Sequence, residues 1–391
     1  MSYVRTLEEV RTVIGHAKLD EGELAPVTQV LCFPPAGDIR DHYKFVELDD
    51  TLLGVLRGGD RLVFRGEKDE NAVLCTRNQT FEVKEAETSN SMLLVPDLVL
   101  ADEIGTSQAA ERILQEKKVA GVFYKYLELR QCKPRLQKLR RLLDESRYRG
   151  PELEEDLRQG GVRTYSFPEL LVAVQASEQE LRAALREMLA VELDGAWRVL
   201  DHEYRFRVVS HILNLVDENS WPLDAVPRDL TLSTLSGLVP ESILAQCFRW
   251  YTEPTADEGL FRLRGDRVCC ILAEVLLRAA GKFNLNEFLT AWQQSVPEGM
   301  KTDMKYLDGI ALMDLKSKPE VIWYFAETDL PEDVNERFRV LFQMREKWTL
   351  VEIHPYIQRL ATDKVNVNAL LTKHARACTV NGVKYYSAKH R

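Results

Sequence analysis

The sequence predicts an α+β chain with a small β-barrel-like domain at the N-terminus, a helical connector, and tandem winged-helix domains at the C-terminus. Three observations carry this. Residues 29–95 hold short runs of strand character separated by turn residues; residues 107–160 are helical in pattern and rich in cations; and from Tyr165 onward a pair of helices, a hairpin and a long helix recur. The boundaries expected are 1–105 for the β-domain, 106–160 for the basic connector, 161–225 for a first winged-helix unit, 226–328 for middle units and 329–391 for the last.

After a short helix over Thr6 to Leu19, the strand runs are Gln29 to Phe33, Tyr43 to Leu48, Arg61 to Phe64, Ala72 to Thr76, Thr80 to Val83 and Met92 to Val95. Pro34-Pro35, Gly58-Gly59 and Asn78 punctuate them. A sheet of this size has a thin core and keeps an open edge that a second chain can cover. The connector reads as helix over Gln108 to Val119 and Pro134 to Glu145, with Lys133, Arg135, Lys138, Arg140 and Arg141 placing several cations on one side.

In the first round of the C-terminal cadence, Phe167 to Val174 is a short apolar helix, Ser177 and Glu180 form a capping box, and Glu178 to Leu189 is the next helix. Val191 to Leu200 then alternates in polarity around Asp194-Gly195, a dipeptide suited to a type I′ turn. The second round uses Tyr204 to Val216, Glu241 to Tyr251 entered through Pro240, and a hairpin over Leu260 to Val268 turning at Gly265-Asp266. The third uses Arg267 to Ala280, Leu285 to Val296, and a wing of Ile310 to Asp314 with Val321 to Phe325 around Ser317 to Pro319. The fourth runs through Pro331 to Met344, Ile353 to Leu360 and Val367 to Arg376, ending in a wing over Cys378 to Ser387 turned by Asn381-Gly382. Helix, helix, hairpin is the winged-helix plan, repeated here in architecture and not in sequence identity.

Composition bounds what this plan serves. The 391 residues carry a net charge of −9, which argues against a nucleic-acid binder over its whole surface. Charge is unevenly spread: −7 over residues 1–100, +2 over 101–160, −9 over 161–330 and +5 over 331–391. No apolar run approaches a membrane span, no secretory or transit signal is read at the N-terminus, and seven irregularly spaced cysteines suit a reducing intracellular compartment. Neither a G-x-x-x-x-G-K-[ST] nor a G-x-G-x-x-G motif occurs, and G-x-S-x-G, H-E-x-x-H and C-x-x-C are also missing from the sequence. No enzyme activity, cofactor or metal site is therefore expected. The acidic groups Asp49-Asp50 and Glu152, Glu154, Glu155, Asp156 read as exposed loops, and His374 with Cys378 is assigned no metal.

Several segments are distinctive beyond their pattern. Phe283 to Met300 (FNLNEFLTAWQQSVPEGM), Asp329 to Asp333, Arg345 to Thr349, Pro355 to Gln358, Leu370 to Lys373 and Asn381 to Lys384 closely resemble the sister chromatid cohesion protein DCC family of animals. So do Ala72 to Cys75, Glu87 to Asn90 and Leu127 to Arg130 in the N-terminal half, so the resemblance covers nearly the whole chain. It implies a non-ATPase subunit of the CTF-type alternative replication factor C, acting in the nucleus in replication and cohesion. The implied partners are the large and small non-shared subunits of that loader, joined through the N-terminal β-domain in a composite barrel. The catalytic subunit of DNA polymerase epsilon and DNA are implied partners of the winged helices, with PCNA reached indirectly.

The residues themselves suggest where such contacts lie. The basic end offers Lys384, Tyr385, Tyr386, Lys389 and Arg391 on or beyond the last hairpin and Lys373, His374 and Arg376 before it, a surface for weak, salt-dependent and sequence-tolerant DNA binding. The other reading is that the tyrosines pack inward and the cations are solvated. The acidic stretch 161–330 suits protein docking, with Trp197 and Arg198 on the first wing as contacts or, alternatively, Trp197 as core. Trp292, at helical spacing from Phe288, reads as core, and Arg345, Lys347 and Trp348 as structural. A winged-helix scaffold that binds only protein and a winged-helix transcriptional regulator are the competing functions.

Overall fold

Thr6 opens the chain's first helix because its hydroxyl accepts from the Glu9 N–H while the Glu9 carboxylate accepts from the Thr6 N–H at 2.8 Å. The structure, a computed structural model, describes residues 5–33, 43–100, 102–103, 111–361 and 365–389. It divides into two lobes, one of Met1–Arg135 with Leu171–Leu181 and one of Leu136–Leu170 with Arg182–Arg391.

The first lobe contains α1 (Leu7–His16), β1 (Val27–Cys32), α2 (Asp50–Arg57), β2 (Val63–Arg65), β3 (Val73–Cys75), β4 (Thr80–Leu94), β5 (Ile113–Lys118) and β6 (Gly121–Cys132). Strands β2-β3-β4-β6 form an antiparallel sheet, and β1 pairs with β5 in parallel from Val27↔Ile113 to Cys32↔Lys118. Leu52, Leu74 and Phe81 make its buried center, with Leu48, Leu62, Val83 and Leu129 packed around them. The described strands form open sheets, so the open edge read from the sequence is present while no barrel closes among the described residues.

Four expectations change here. The helix expected over Gln108 to Val119 is strand β5 in its described part, because pairing with β1 overrides the helix preference of Gln115, Glu116 and the lysines. The connector, expected to be helical, also contains strand β6, which pairs with β4 from Thr80↔Cys132 to Leu94↔Gly121. Thr80 to Val83 and Met92 to Val95 belong to one long strand, β4, whose register shifts between Glu87 and Met92. Asp49 is no loop carboxylate: its Oδ1 accepts from the Leu52 N–H at 2.8 Å and caps α2. Pro34-Pro35 lies outside the described residues. Residues 171–181 complete this lobe. The Ser177 and Glu180 box forms as read, with reciprocal bonds of 3.0 and 3.3 Å, and Thr80 Oγ1 donates to the same Glu180 carboxylate at 2.6 Å.

The second lobe opens with α3 (Gln137–Glu145) and α4 (Glu154–Gln159); α5 (Phe167–Ala173) and α6 (Glu178–Glu187) are divided between the lobes at Leu171 and Leu181, and the hairpin β7 (Ala190–Leu193) and β8 (Ala196–Val199) follows in the second. Three modules follow. The first is α7 (His202–Glu218), β9 (Val226–Pro227), α8 (Arg228–Leu235), α9 (Glu241–Tyr251), β10 (Thr252–Pro254) and β11 (Leu260–Leu263). The second is α10 (Gly265–Ala280), β12 (Lys282–Asn284), α11 (Leu285–Ser295), a 3-10 turn at Met304–Leu307, β13 (Ala311–Asp314) and β14 (Val321–Tyr324). The third is α12 (Val334–Met344), β15 (Trp348–Thr349), α13 (Leu350–Ile357), α14 (Val367–His374), β16 (Ala375–Val380) and β17 (Val383–Ala388). Each module's sheet has its last strand in the middle: β9-β11-β10, β12-β14-β13 and β15-β17-β16.

The hairpin turns at Asp194-Gly195 and Asn381-Gly382 have two successive positive φ values, 50° and 79° in one and 51° and 78° in the other, as the type I′ reading requires. The turn expected at Gly265-Asp266 is instead the start of α10, and the chain reverses between Pro254 and Leu260, where Gly259 takes φ 79°. Phe288 and Trp292 are fully buried and stacked at 5.5 Å, and Trp292 Nε1 donates to the Cys269 carbonyl at 2.8 Å. The distinctive segment Phe283 to Met300 is thus a core-forming helix and its exit.

Two arginines are buried in this lobe. Arg337 Nε donates to the Pro331 carbonyl at 2.6 Å, Nη1 to the Tyr356 carbonyl at 2.9 Å and Nη2 to the Leu330 carbonyl at 3.1 Å, while Nη1 also meets the Glu327 carboxylate. Arg198 forms a two-point pair with Glu154, 3.0 Å on each arm, donates to the carbonyls of Ser146 and Arg147, and lies over the Tyr148 ring. Removing one member of such a set strands the rest in a dry interior at a cost of roughly 3–5 kcal/mol. Arg337→Ala is therefore expected to lower stability of the C-terminal lobe by about that amount, seen as an earlier urea transition by tryptophan fluorescence. Arg337→Lys recovers less than half of the loss, since an ammonium cannot span the fork; an unchanged midpoint for either variant contradicts this role.

Candidate nucleic-acid and partner interface

The last hairpin projects from a module whose core is closed by Trp348, Tyr356 and Tyr386. Trp348 pairs in register with Tyr386 and Thr349 with Tyr385, so Tyr386 faces the core and Tyr385 the opposite side. Tyr386 is 7% exposed. It is a packing residue and not the groove contact expected, because strand alternation turns every second side chain inward. Tyr385 is half-buried on the outer face.

Register also sorts the cations. Thr379 lies opposite Lys384 and Arg376 opposite Ser387, which places Lys384 on the face shared with Tyr386 and Arg376 on the face shared with Tyr385. The Lys384 ammonium sits 5.4 Å from the Tyr386 ring center. Lys373 is exposed in the last turn of α14. Lys373, Arg376 and Lys384 form no ion pair with any described residue, so their charge is available to an external anion.

The remaining candidates are engaged or differently charged. Lys389 Nζ donates to the carbonyls of Thr372 and Lys373 at 3.2 and 3.1 Å, closing the C-terminus of α14 where a cation is favored. His374 stacks on Phe338 at 5.2 Å, and burial together with the neighboring Lys373 and Lys389 pushes its imidazole below the usual histidine range. It is neutral at pH 7 and supplies no phosphate charge. Arg391 lies outside the described residues. The sequence brought these residues to one module but not to one face.

On the first hairpin, Arg198 is 3% exposed and held by the contacts given above, so it is an internal clamp and not a partner contact. The acidic run read as an exposed loop supplies its counter-ion: Glu154 pairs with Arg198, and Glu152 pairs with Arg207 at 2.8 Å. Trp197 is half-buried, edge-on to Phe167 at 6.5 Å, and its backbone N–H donates to the Tyr165 carbonyl at 2.8 Å. In the connector, Arg140 pairs with Glu332 at 2.8 Å, which uses one of the cations read there as a solvated stripe.

A groove of about 670 Å³ lies in the first lobe between residues of α1 and β1, and the sequence reading missed it. Val10, Val13, Ile14, Val27, Leu31 and the largely buried Arg112 line it. Val13 is 50% exposed although it shares the apolar stripe of Val10 and Ile14, and that i, i+3, i+4 pattern was the available signal. Among the described residues no group of three or more His, Cys, Asp or Glu side chains is placed to hold a metal, and no helix is long and apolar enough to cross a membrane.

Comparison with known proteins gives one consistent result. The family model described as sister chromatid cohesion protein Dcc1 matches residues 43–357. A zebrafish (Danio rerio) protein named sister chromatid cohesion protein DCC1 is 42% identical over 99% of both chains, and the human (Homo sapiens) protein of that name is 40% identical over 98% of both. The budding yeast (Saccharomyces cerevisiae) protein of that name is 22% identical over 85% of this chain and 93% of its own. None of these names denotes an enzyme. With the match spanning most of its length and carrying through the core segments around Trp292 and Trp348, the chain belongs to the sister chromatid cohesion protein Dcc1 family.

Proposed function

We propose that this chain is a non-catalytic adaptor subunit of an alternative PCNA clamp loader, the CTF-type replication factor C, acting in the nucleus in support of replication and sister chromatid cohesion. On this reading the N-terminal lobe joins the large and small non-shared loader subunits. The modules of the C-terminal lobe are winged helices that dock the catalytic subunit of DNA polymerase epsilon and hold DNA weakly and without sequence preference, so that PCNA is reached through the loader. The observation that carries it is topological: helix, strand, helix, helix, strand, strand recurs with the sheet order first-third-second, the middle module having a 3-10 turn in place of its third helix. Family membership supplies the cohesion setting, and the absence of nucleotide-binding motifs from the sequence is consistent with a subunit that leaves ATP hydrolysis to others.

The DNA surface on this reading is Lys373, Arg376 and Lys384. Three cations imply about three phosphate contacts and a slope of log affinity against log salt near −3, at about −0.9 per contact. A sequence-specific transcriptional regulator fits less well, since α6 and α9 carry little positive charge. A scaffold binding only protein is the second reading; it predicts no salt-sensitive retention of duplex at all.

The combined variant Lys373→Glu, Arg376→Glu, Lys384→Glu is expected to reduce duplex affinity at least tenfold at 50 mM salt and flatten the salt slope, measured by fluorescence anisotropy. His374→Gln leaves both unchanged at pH 7.5, because the imidazole is already neutral there. An unaltered affinity in the triple variant removes this surface from the function. For the N-terminal lobe, Val13→Asp puts a charge into the α1 groove and is expected to lose co-purification of the loader's non-shared subunits while duplex affinity is kept. Loss of both activities together contradicts the division of labor between lobes.

A further inference from the structure

Sheets with an exposed edge strand are templates for a further strand, and natural proteins cover or blunt such edges. In each module of the C-terminal lobe one of the two sheet edges is the strand that opens the hairpin. The β13 edge is covered: the Ala311 carbonyl accepts from the Tyr356 hydroxyl at 3.0 Å, and the Met313 carbonyl accepts from Arg345 Nη2. The β10 edge ends in Pro254, which has no N–H to offer. At the first hairpin, α9 packs against β7.

The β16 edge differs. Its pairing with β17 runs without interruption from Ala375↔Ala388 to Val380↔Val383, with no bulge and no proline. In a two-residue hairpin the pair closing the turn is hydrogen-bonded, so Val380, Cys378 and Arg376 bond to β17, while Ala377 and Thr379 turn their N–H and C=O groups outward. The same alternation turns the Ala375 N–H outward, and it is taken by the Leu371 carbonyl. Among the described residues no group partners the outward N–H and C=O of Ala377 or Thr379, and both residues are exposed. Their side chains are small and leave the backbone open. Around them stand Arg376, Lys373 and Lys384 without ion pairs to described residues, in a 61-residue stretch of net charge +5.

We propose that the outer edge of β16 is a docking site for an extended, acidic segment of a partner protein, which adds a strand along Ala377 and Thr379 and sets its carboxylates beside Arg376. The basic surround selects against a second copy of this chain, since edge-to-edge pairing would bring two cationic hairpins together. The site shares Arg376 with the proposed DNA contacts and differs from them in using backbone groups that a phosphate surface does not require.

The test uses the full chain and a fluorescein-labeled decapeptide of alternating Glu and Val, followed by anisotropy. Saturable binding is expected, with a loss of about tenfold in Thr379→Pro and Ala377→Pro, each of which removes one outward N–H without touching the ladder to β17. Both variants are expected to keep the wild-type circular dichroism spectrum and duplex affinity, which separates failure of this site from failure of the DNA surface. In the wild type, hydrogen exchange at the Ala377 and Thr379 amides slows on adding the peptide; this readout stands even if neither proline variant folds. The proposal is overturned by lack of saturable binding, by equal binding of a Lys-Val peptide, by unchanged exchange at both amides, by folded proline variants that bind as well as wild type, or by light scattering that shows a dimer dissociated by those variants.

Discussion

The buried arginine fork is the interaction on which the C-terminal lobe depends. Arg337 gathers the carbonyls of Leu330, Pro331 and Tyr356 onto one guanidinium, joining the loop that enters the last module to the end of α13. Arg198 performs the corresponding task for the first hairpin, tying β8 to the end of α3 through Ser146 and to α4 through Glu154. In both cases the cation satisfies backbone oxygens that a connection between modules would otherwise leave dry and unpaired. Apolar side chains at those positions can fill space but cannot saturate three or four acceptors at once, and lysine lacks the planar reach.

Covering one module with parts of the next is the second consequence of this arrangement. Tyr356 and Arg345 belong to the last module, yet their donors end on the β13 edge of the module before it. Arg359 likewise reaches Glu187 at 2.9 Å and Glu327 at 3.6 Å, linking α6 to the entry of the last module. Modules built in this way are not independent beads: the last finishes the polar satisfaction of the one before it, so a change that loosens its hold alters the β13 edge. On β16 no described residue supplies that coverage to the outward groups of Ala377 and Thr379.

Much of the C-terminal architecture was legible because its signals are local. Asp194-Gly195 and Asn381-Gly382 specify their turns by dihedral preference alone, and Ser177 with Glu180 specifies a helix start by hydrogen-bond geometry. The N-terminal lobe was less legible, since its order is set by pairing between distant segments. Nothing local in Ile113 to Lys118 says that Val27 to Cys32 will lie beside it. Gly265-Asp266 misled for the opposite reason: a dipeptide that suits a hairpin turn also suits the start of a helix, and the long apolar run of α10 decided the matter. Residue roles were hardest of all. Arg198 and Tyr386 have the composition of contact residues, and only their burial reveals that the contacts they make are internal.

Charge placement accounts for how an acidic protein of this family presents a basic end. Residues 161–330 carry −9 and residues 331–391 carry +5. At physiological ionic strength the Debye length is about 8 Å, so a duplex touching the last module feels Lys373, Arg376 and Lys384 directly and feels distant carboxylates only weakly. Lowering the salt strengthens the three contacts but also lengthens the reach of the acidic modules. The field therefore opposes engulfment of DNA by the whole lobe while permitting contact at one module. Under the proposed DNA reading, attachment confined to the last module is therefore weak, salt-dependent and sequence-tolerant.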